Sequence, residues 1–310
     1  MKHDNHQTEQ IPLVETLEAR RTVAMKHLRV GPVHLDDIPK ETSAADGRLW
    51  QDTWPDGTQR RVYTRDEGNT DASTFMLNFP PGYARPQELE YKKTNPVGRF
   101  EYHTCHEELF VLKGTFKFDD WYEMRDFGYF NHPPYWLHPA HQHAPEGVDL
   151  FITNSGPVDF TYVPIPEDWD QRELLMEGFP HKSRSRPVAA LEIADLPWEP
   201  VLDPDGGRTG IEGKHLWDDL DDGWTTWLMR VPEGWSGTGA AEANPGGDRF
   251  LVIEGDLTLD RGEKVELSSM SYFCDPDQFV YPGAGTGSNE GCLAIRWTKD
   301  DTLGLPVLRF

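Results

Sequence analysis

The feature that most constrains this chain is that it repeats itself. VHLDDIP at 33–39 returns as LEIADLP at 191–197, and STFMLNFPPGY at 73–83 returns as TTWLMRVPEGW at 225–235. EYHTCHEELFVLKGTFKFD at 101–119 aligns without a gap on EANPGGDRFLVIEGDLTLD at 242–260. GYFNHPPYWLHP at 128–139 then meets SYFCDPDQFVYP at 271–282, and EGVDLFI at 146–152 meets EGCLAIR at 290–296. Matches that keep one order along the chain amount to an internal duplication. The 310 residues therefore divide into two copies of one unit, each long enough to close its own hydrophobic core.

Within each copy the apolar residues fall in short runs rich in Val, Ile, Phe, Tyr and Trp. Turns built from Gly, Pro, Asp and Asn punctuate them at intervals of about ten residues, the rhythm of an all-β sandwich or barrel. Helical spacing is confined to LVETLEARRTVAMKHL at 13–28, which would pack outside the sheets. The expected organisation is an N-terminal extension over 1–32 carrying that helix, a first domain over 33–164, a linker over 165–187 that begins and ends near prolines, and a second domain over 188–310.

The chemistry lies in the third match. Its first copy reads Glu101-x-His103-x3-Glu107-x6-Gly114, and His138 follows at the end of GYFNHPPYWLHP. Residues two apart on a strand share a face, so Glu101 and His103 point the same way, and Glu107 re-enters beyond a short turn. Two imidazoles and two carboxylates from neighbouring strands make a borderline-to-hard donor set suited to Fe(II), Mn(II) or Zn(II). The corresponding positions of the second copy are Glu242, Asn244, Asp248 and Tyr281, with both histidines gone.

These residues resemble the cupin superfamily. Glu101, His103, Glu107 and Gly114 follow its first motif with Glu101 in place of the leading histidine. Gly128, Pro133 and His138 follow its second, one residue shorter after the glycine and with Tyr135 where the motif has a glycine. The resemblance implies two tandem jelly-roll domains with a few peripheral helices: a metal-binding first copy and a degenerate second. It further implies one divalent metal ion per chain, held by Glu101, His103, Glu107 and His138. Fe(II) is favoured, with Mn(II) and Zn(II) as alternatives, and Glu101 and Tyr135 are candidates for moving a proton. The expected activity is that of a non-haem Fe(II)-type dioxygenase on a small organic acid, aromatic acids included. A redox-neutral metal-dependent lyase, decarboxylase or isomerase is one alternative, and a non-catalytic metal- or ligand-binding cupin another.

Rivals for the ligand positions stand close by. His106, Glu108, His132, His141 and His143 share the motif region, and six of the chain's 12 histidines lie between 103 and 143. His106 or His141 could complete the set if Glu101 turns away. Cys105 sits between candidate ligands and reads either as a nucleophilic thiolate or as a small half-buried loop residue. Trp121, Tyr122, Tyr135 and Trp136 could stack on a ring or fill the core, and Arg99, Lys113 and Lys117 are the cations nearest the motif.

Composition bears on partners. Against 30 Lys and Arg stand 53 Asp and Glu, a formal charge of −23, which disfavours nucleic acid and anionic membranes and leaves a small-molecule substrate. No apolar run approaches the length of a membrane span, and the N-terminus is not that of a signal peptide, so a cytoplasmic location is expected. Three widely separated cysteines suggest reduced thiols. Bicupins associate through sheet edges, so the resemblance also allows a homodimer.

Overall fold

The computed structural model describes residues 30–37, 41–42, 58–65, 73–119, 121–156, 158–165, 188–202, 207–220, 223–237, 243–244, 247–260, 264–275, 279–280 and 285–299. The expected helix at 13–28 and the linker from 166 to 187 lie outside the described residues, as do Glu242 and Tyr281.

Strand Glu107–Gly114 shows why the chain layers as it does. Along it Leu109 and Val111 pack with Phe116, Phe118 and Met124 in one apolar cluster, while Phe110 packs with Trp217, Leu251 and Trp297 in another. A strand apolar on both faces belongs to a sheet covered on both sides. The sheet runs, in spatial order, Val188–Glu192, Gly128–His132, Glu107–Gly114, Val148–Asn154, Ser73–Phe79, Gln59–Arg65 and Glu41–Thr42. Opposite its inner face stand a four-stranded sheet, Tyr83–Ala84, Gln142–Ala144, Phe116–Phe118 and Tyr122–Met124, and a three-stranded one, His138–Pro139, Arg99–Tyr102 and Thr161–Pro164. Together they close the first jelly roll.

The second copy repeats the plan with Val30–His34, Ser271–Asp275, Asp248–Asp260, Cys292–Lys299, Trp224–Val231, Arg208–Asp218 and Glu199–Leu202 in order. Lys264–Ser268 pairs with the far end of Asp248–Asp260. The two large sheets pack back to back through Tyr63, Phe110, Tyr129 and Phe151 on one side and Trp217, Leu251, Tyr272 and Trp297 on the other. The fold is thus all-β, two tandem cupin-type jelly rolls, with Pro86–Lys92 the one α-helix among the described residues.

The copies also exchange strands. Val33 pairs with Tyr272, and its repeat counterpart Leu191 pairs with Tyr129, the counterpart of Tyr272. Each copy's first strand therefore edges the other copy's large sheet, and the two exchanges obey the same pseudo-two-fold relation as the sequence repeat.

Candidate metal centre

Four side chains converge inside the first jelly roll. His103 follows strand Arg99–Tyr102, Glu107 opens its strand, His132 closes Gly128–His132 opposite Glu107, and His138 opens a short strand paired with Glu101. All four are buried. His132 shares the inward parity of Phe130, whereas Tyr129 faces the second jelly roll.

The ring nitrogens are aimed by their outer partners. His103 Nδ1 donates to the Asp159 carbonyl at 2.5 Å and His138 Nδ1 to that of Pro139 at 3.3 Å, which leaves both Nε2 atoms as acceptors. These two Nε2 atoms lie 3.2 Å apart. Two lone pairs facing each other at that distance call for a cation between them. His103 Nε2 is 3.8 Å from Glu107 Oε2, and His132 Nδ1, buried with no hydrogen-bond partner, is 3.7 Å from the same oxygen. Burial, and then the neighbouring imidazoles, hold His132 and His138 well below the usual histidine range, so both are neutral donors.

An ion about 2.1 Å from each donor sets neighbouring donors about 3.0 to 3.4 Å apart. The observed spacings reach that range with a closure of a few tenths of an ångström, and the orphaned Nδ1 of His132 is the donor such an ion would satisfy. Three imidazoles and one carboxylate suit Fe(II), Mn(II) or Zn(II).

Glu101 takes a different place from that of the residues around it. Its Oε2 accepts from Arg85 Nη1 at 2.6 Å and its Oε1 from Gln142 Nε2 at 3.2 Å, and Oε1 lies 4.0 Å from His138 Nδ1, the ring nitrogen turned away from His103. Glu101, His103 and His138 thus come within ligating reach of one another, as do Glu107, His132 and His138, but Glu101 is already neutralised. Burial pushes its carboxyl up while Arg85 pulls the other way.

Arg85 had no signal in the motifs. It precedes Pro86, which biases it to the extended conformation seen, φ −59° and ψ 113°, at the start of the helix. Its guanidinium also donates to the Ala140 carbonyl at 3.1 Å and the Tyr162 hydroxyl at 3.0 Å and lies over Phe160. Arg99, one of the cations expected near the motif, covers Tyr162 and grips Glu88 through two nitrogens.

Two of the donors, His103 and Glu107, open on a cavity of about 30 Å³, room for about two water-sized occupants. Arg85, Gln142, His103 and Glu107 are its polar lining, and Phe79, Phe116, Phe118 and Leu109 are among its apolar walls.

The remaining candidates are accounted for elsewhere. His106 Nε2 donates to Asn131 at 2.8 Å, Glu108 faces the second jelly roll, and His141 Nδ1 bonds Asp119 at 2.6 Å. His143 donates to the Asp119 carbonyl at 3.2 Å. Tyr135 does not line the cavity: its amide donates to the His103 carbonyl at 2.8 Å and its ring packs on Tyr102. Its φ of +67° explains the glycine of the motif at this position. Burial pushes the Cys105 thiol well up, so it is not a reactive thiolate. Lys117 pairs with Glu123, and Trp121 meets Phe100 edge-on.

In the second copy Asp248, the counterpart of Glu107, accepts from Arg296 Nε at 2.9 Å, both fully buried. Arg296 stands where the first copy has Ile152, since each is two residues before the partner of Asp248 or Glu107 in register.

Residues 25–300 match the family model described as Domain of unknown function (DUF4437). No curated protein matches the chain. Among solved structures it is similar to a candidate dioxygenase from Nostoc punctiforme, with TM-score 0.62 and 17% identity over 89% of this chain and 84% of that one, a likeness of fold alone. Weaker likenesses are to a variant of salicylate 1,2-dioxygenase from Pseudoaminobacter salicylatoxidans (TM-score 0.48, 13% identity, 74% and 70% covered) and to a variant of Bacillus subtilis oxalate decarboxylase (0.49, 13%, 97% and 87%).

Proposed function

The chain belongs to the DUF4437 family, and from its first jelly roll we propose that it is a metal-dependent cupin enzyme, a non-haem Fe(II)-type dioxygenase of small organic acids. The observation that carries this reading is the convergence of three imidazoles and one carboxylate, two of which, His103 and Glu107, line a cavity that also receives a guanidinium. His103, His132, His138 and Glu107 would hold the ion. When bound as Fe(II), the ion supplies Lewis acidity and the electrons for dioxygen chemistry.

The chain's own residues do the rest. Arg85 presents a planar, permanently charged donor to the cavity, suited to a substrate carboxylate. Glu101, 2.6 Å away, balances that charge when no substrate is present. Phe79, Phe116, Phe118 and Leu109 exclude water, which strengthens every charge interaction inside. Room for about two water-sized occupants restricts entry to a small acid or to the carboxylate end of a larger one.

The test is oxygen uptake by protein reconstituted anaerobically with Fe(II), Mn(II) or Zn(II), against a panel of small keto, hydroxy and phenolic acids. Uptake with Fe(II) alone, lost in Arg85→Met for carboxylates, is expected. Turnover that persists without dioxygen, or with Zn(II), would instead assign a redox-neutral lyase, decarboxylase or isomerase.

A further inference from the structure

Strand parity separates the metal donors from their chain neighbours. Glu107 and His132 face the interior of the first jelly roll, so Glu108, just after the first, and Asn131, just before the second, face the second jelly roll. Glu108 is 1% exposed and accepts three hydrogen bonds of 2.6 Å, from the Tyr129 hydroxyl, Thr226 Oγ1 and Trp297 Nε1. The last two donors belong to the second copy. Asn131 Oδ1 accepts from His106 Nε2 at 2.8 Å, and the His106 ring stacks on Trp217 of the second copy with centroids 4.7 Å apart and planes 23° from parallel. Asn131 Nδ2 donates to the Tyr129 hydroxyl at 3.3 Å, which joins both contacts into one chain.

This network grips the backbone on both sides of Glu107 and immediately before His132. A buried carboxylate with three donors in place cannot shift without leaving charge-assisted hydrogen bonds unmade. The strand ends that carry two of the four metal donors are thus fixed from outside their own barrel.

We propose that the second jelly roll sets the position of Glu107 and His132 in the metal centre of the first, through Thr226, Trp297 and Trp217 acting as positioning residues on Glu108 and His106. This rests on the metal-binding reading above. It gives the degenerate copy a role in the chemistry of the other, although it donates nothing to the ion.

The test is Mn(II) binding to the full chain, with affinity from calorimetry and site symmetry from electron paramagnetic resonance. Thr226→Val and Trp297→Phe, each close in shape to the original, are compared with Leu267→Ala, a change in the second copy's own apolar core. Partners that orient ligands change metal affinity by about 10- to 100-fold when removed. Thr226→Val and Trp297→Phe are each expected to weaken Mn(II) about tenfold and to broaden its spectrum, while Leu267→Ala lowers the melting temperature and leaves the affinity as in wild type. Wild-type affinity in both interface variants, or equal weakening in Leu267→Ala, would overturn the proposal while leaving the metal centre standing. Failure of wild type itself to bind Mn(II) would remove the metal-binding reading and this inference with it.

Discussion

The two jelly rolls meet the same problem, a carboxylate buried at the start of an interior strand of the large sheet, and solve it differently. In the first, Glu107 faces imidazole nitrogens of His103 and His132 at 3.8 and 3.7 Å, and no side-chain cation is bonded to it among the described residues. In the second, Asp248 is bonded to Arg296 at 2.9 Å. One copy has left room for an ion from outside and the other has built a cation into the chain. A buried charge needs a partner wherever it sits, and Arg296 supplies a cation to Asp248 from within the chain. The second copy thus differs from the first at the position of Ile152 as well as at the imidazoles.

The strongest way to break this contrast is to take the built-in cation away. Arg296→Ile, which places the residue of the first copy there, removes the cation bonded to Asp248 and is expected to destabilise the protein by about 3 to 5 kcal/mol in urea denaturation. The double variant Asp248→Asn/Arg296→Ile should recover much of that. A loss below about 1 kcal/mol for the single variant would mean that Asp248 is stabilised in some other way.

A second test sharpens the contrast by asking what the copies still share. Gly114 and Gly255 are repeat counterparts with φ of +95° and +79°, and a Cβ on either would stand 2.2 or 1.8 Å from the carbonyl oxygen of Gly147 or Gly291, themselves counterparts. Alanine at either site is expected to cost at least about 1 to 3 kcal/mol, read as a fall in melting temperature of like size for both. A large effect in one copy only would show that backbone geometry has diverged along with the chemistry.

The sequence stated the shared part plainly and the divergent part incompletely. The repeat, the β rhythm and the cluster of His103, Glu107 and His138 were legible because motif spacing and turn residues are local properties. His132 stands in the sequence among the rivals for the ligand positions. Its inward parity with Phe130 was in the sequence, but its pairing with Glu107 depends on register between strands 25 residues apart. Arg85 was invisible for the same kind of reason, since it meets Glu101 only through a bend at Pro86. The exchange of first strands between copies, and the grip of Thr226 and Trp297 on Glu108, are contacts more than about 50 residues apart, which no local pattern encodes.

Two copies of one fold are expected to hold one metal ion between them. Metal content by inductively coupled plasma mass spectrometry, after anaerobic reconstitution with Fe(II) and removal of loosely bound ions, tests it most directly in wild type, in His103→Ala/His138→Ala and in Asp248→Ala. One ion per chain in wild type and in Asp248→Ala, and none in the double histidine variant, is the predicted result; two ions per chain, none in wild type, or an ion retained without His103 and His138 would contradict it.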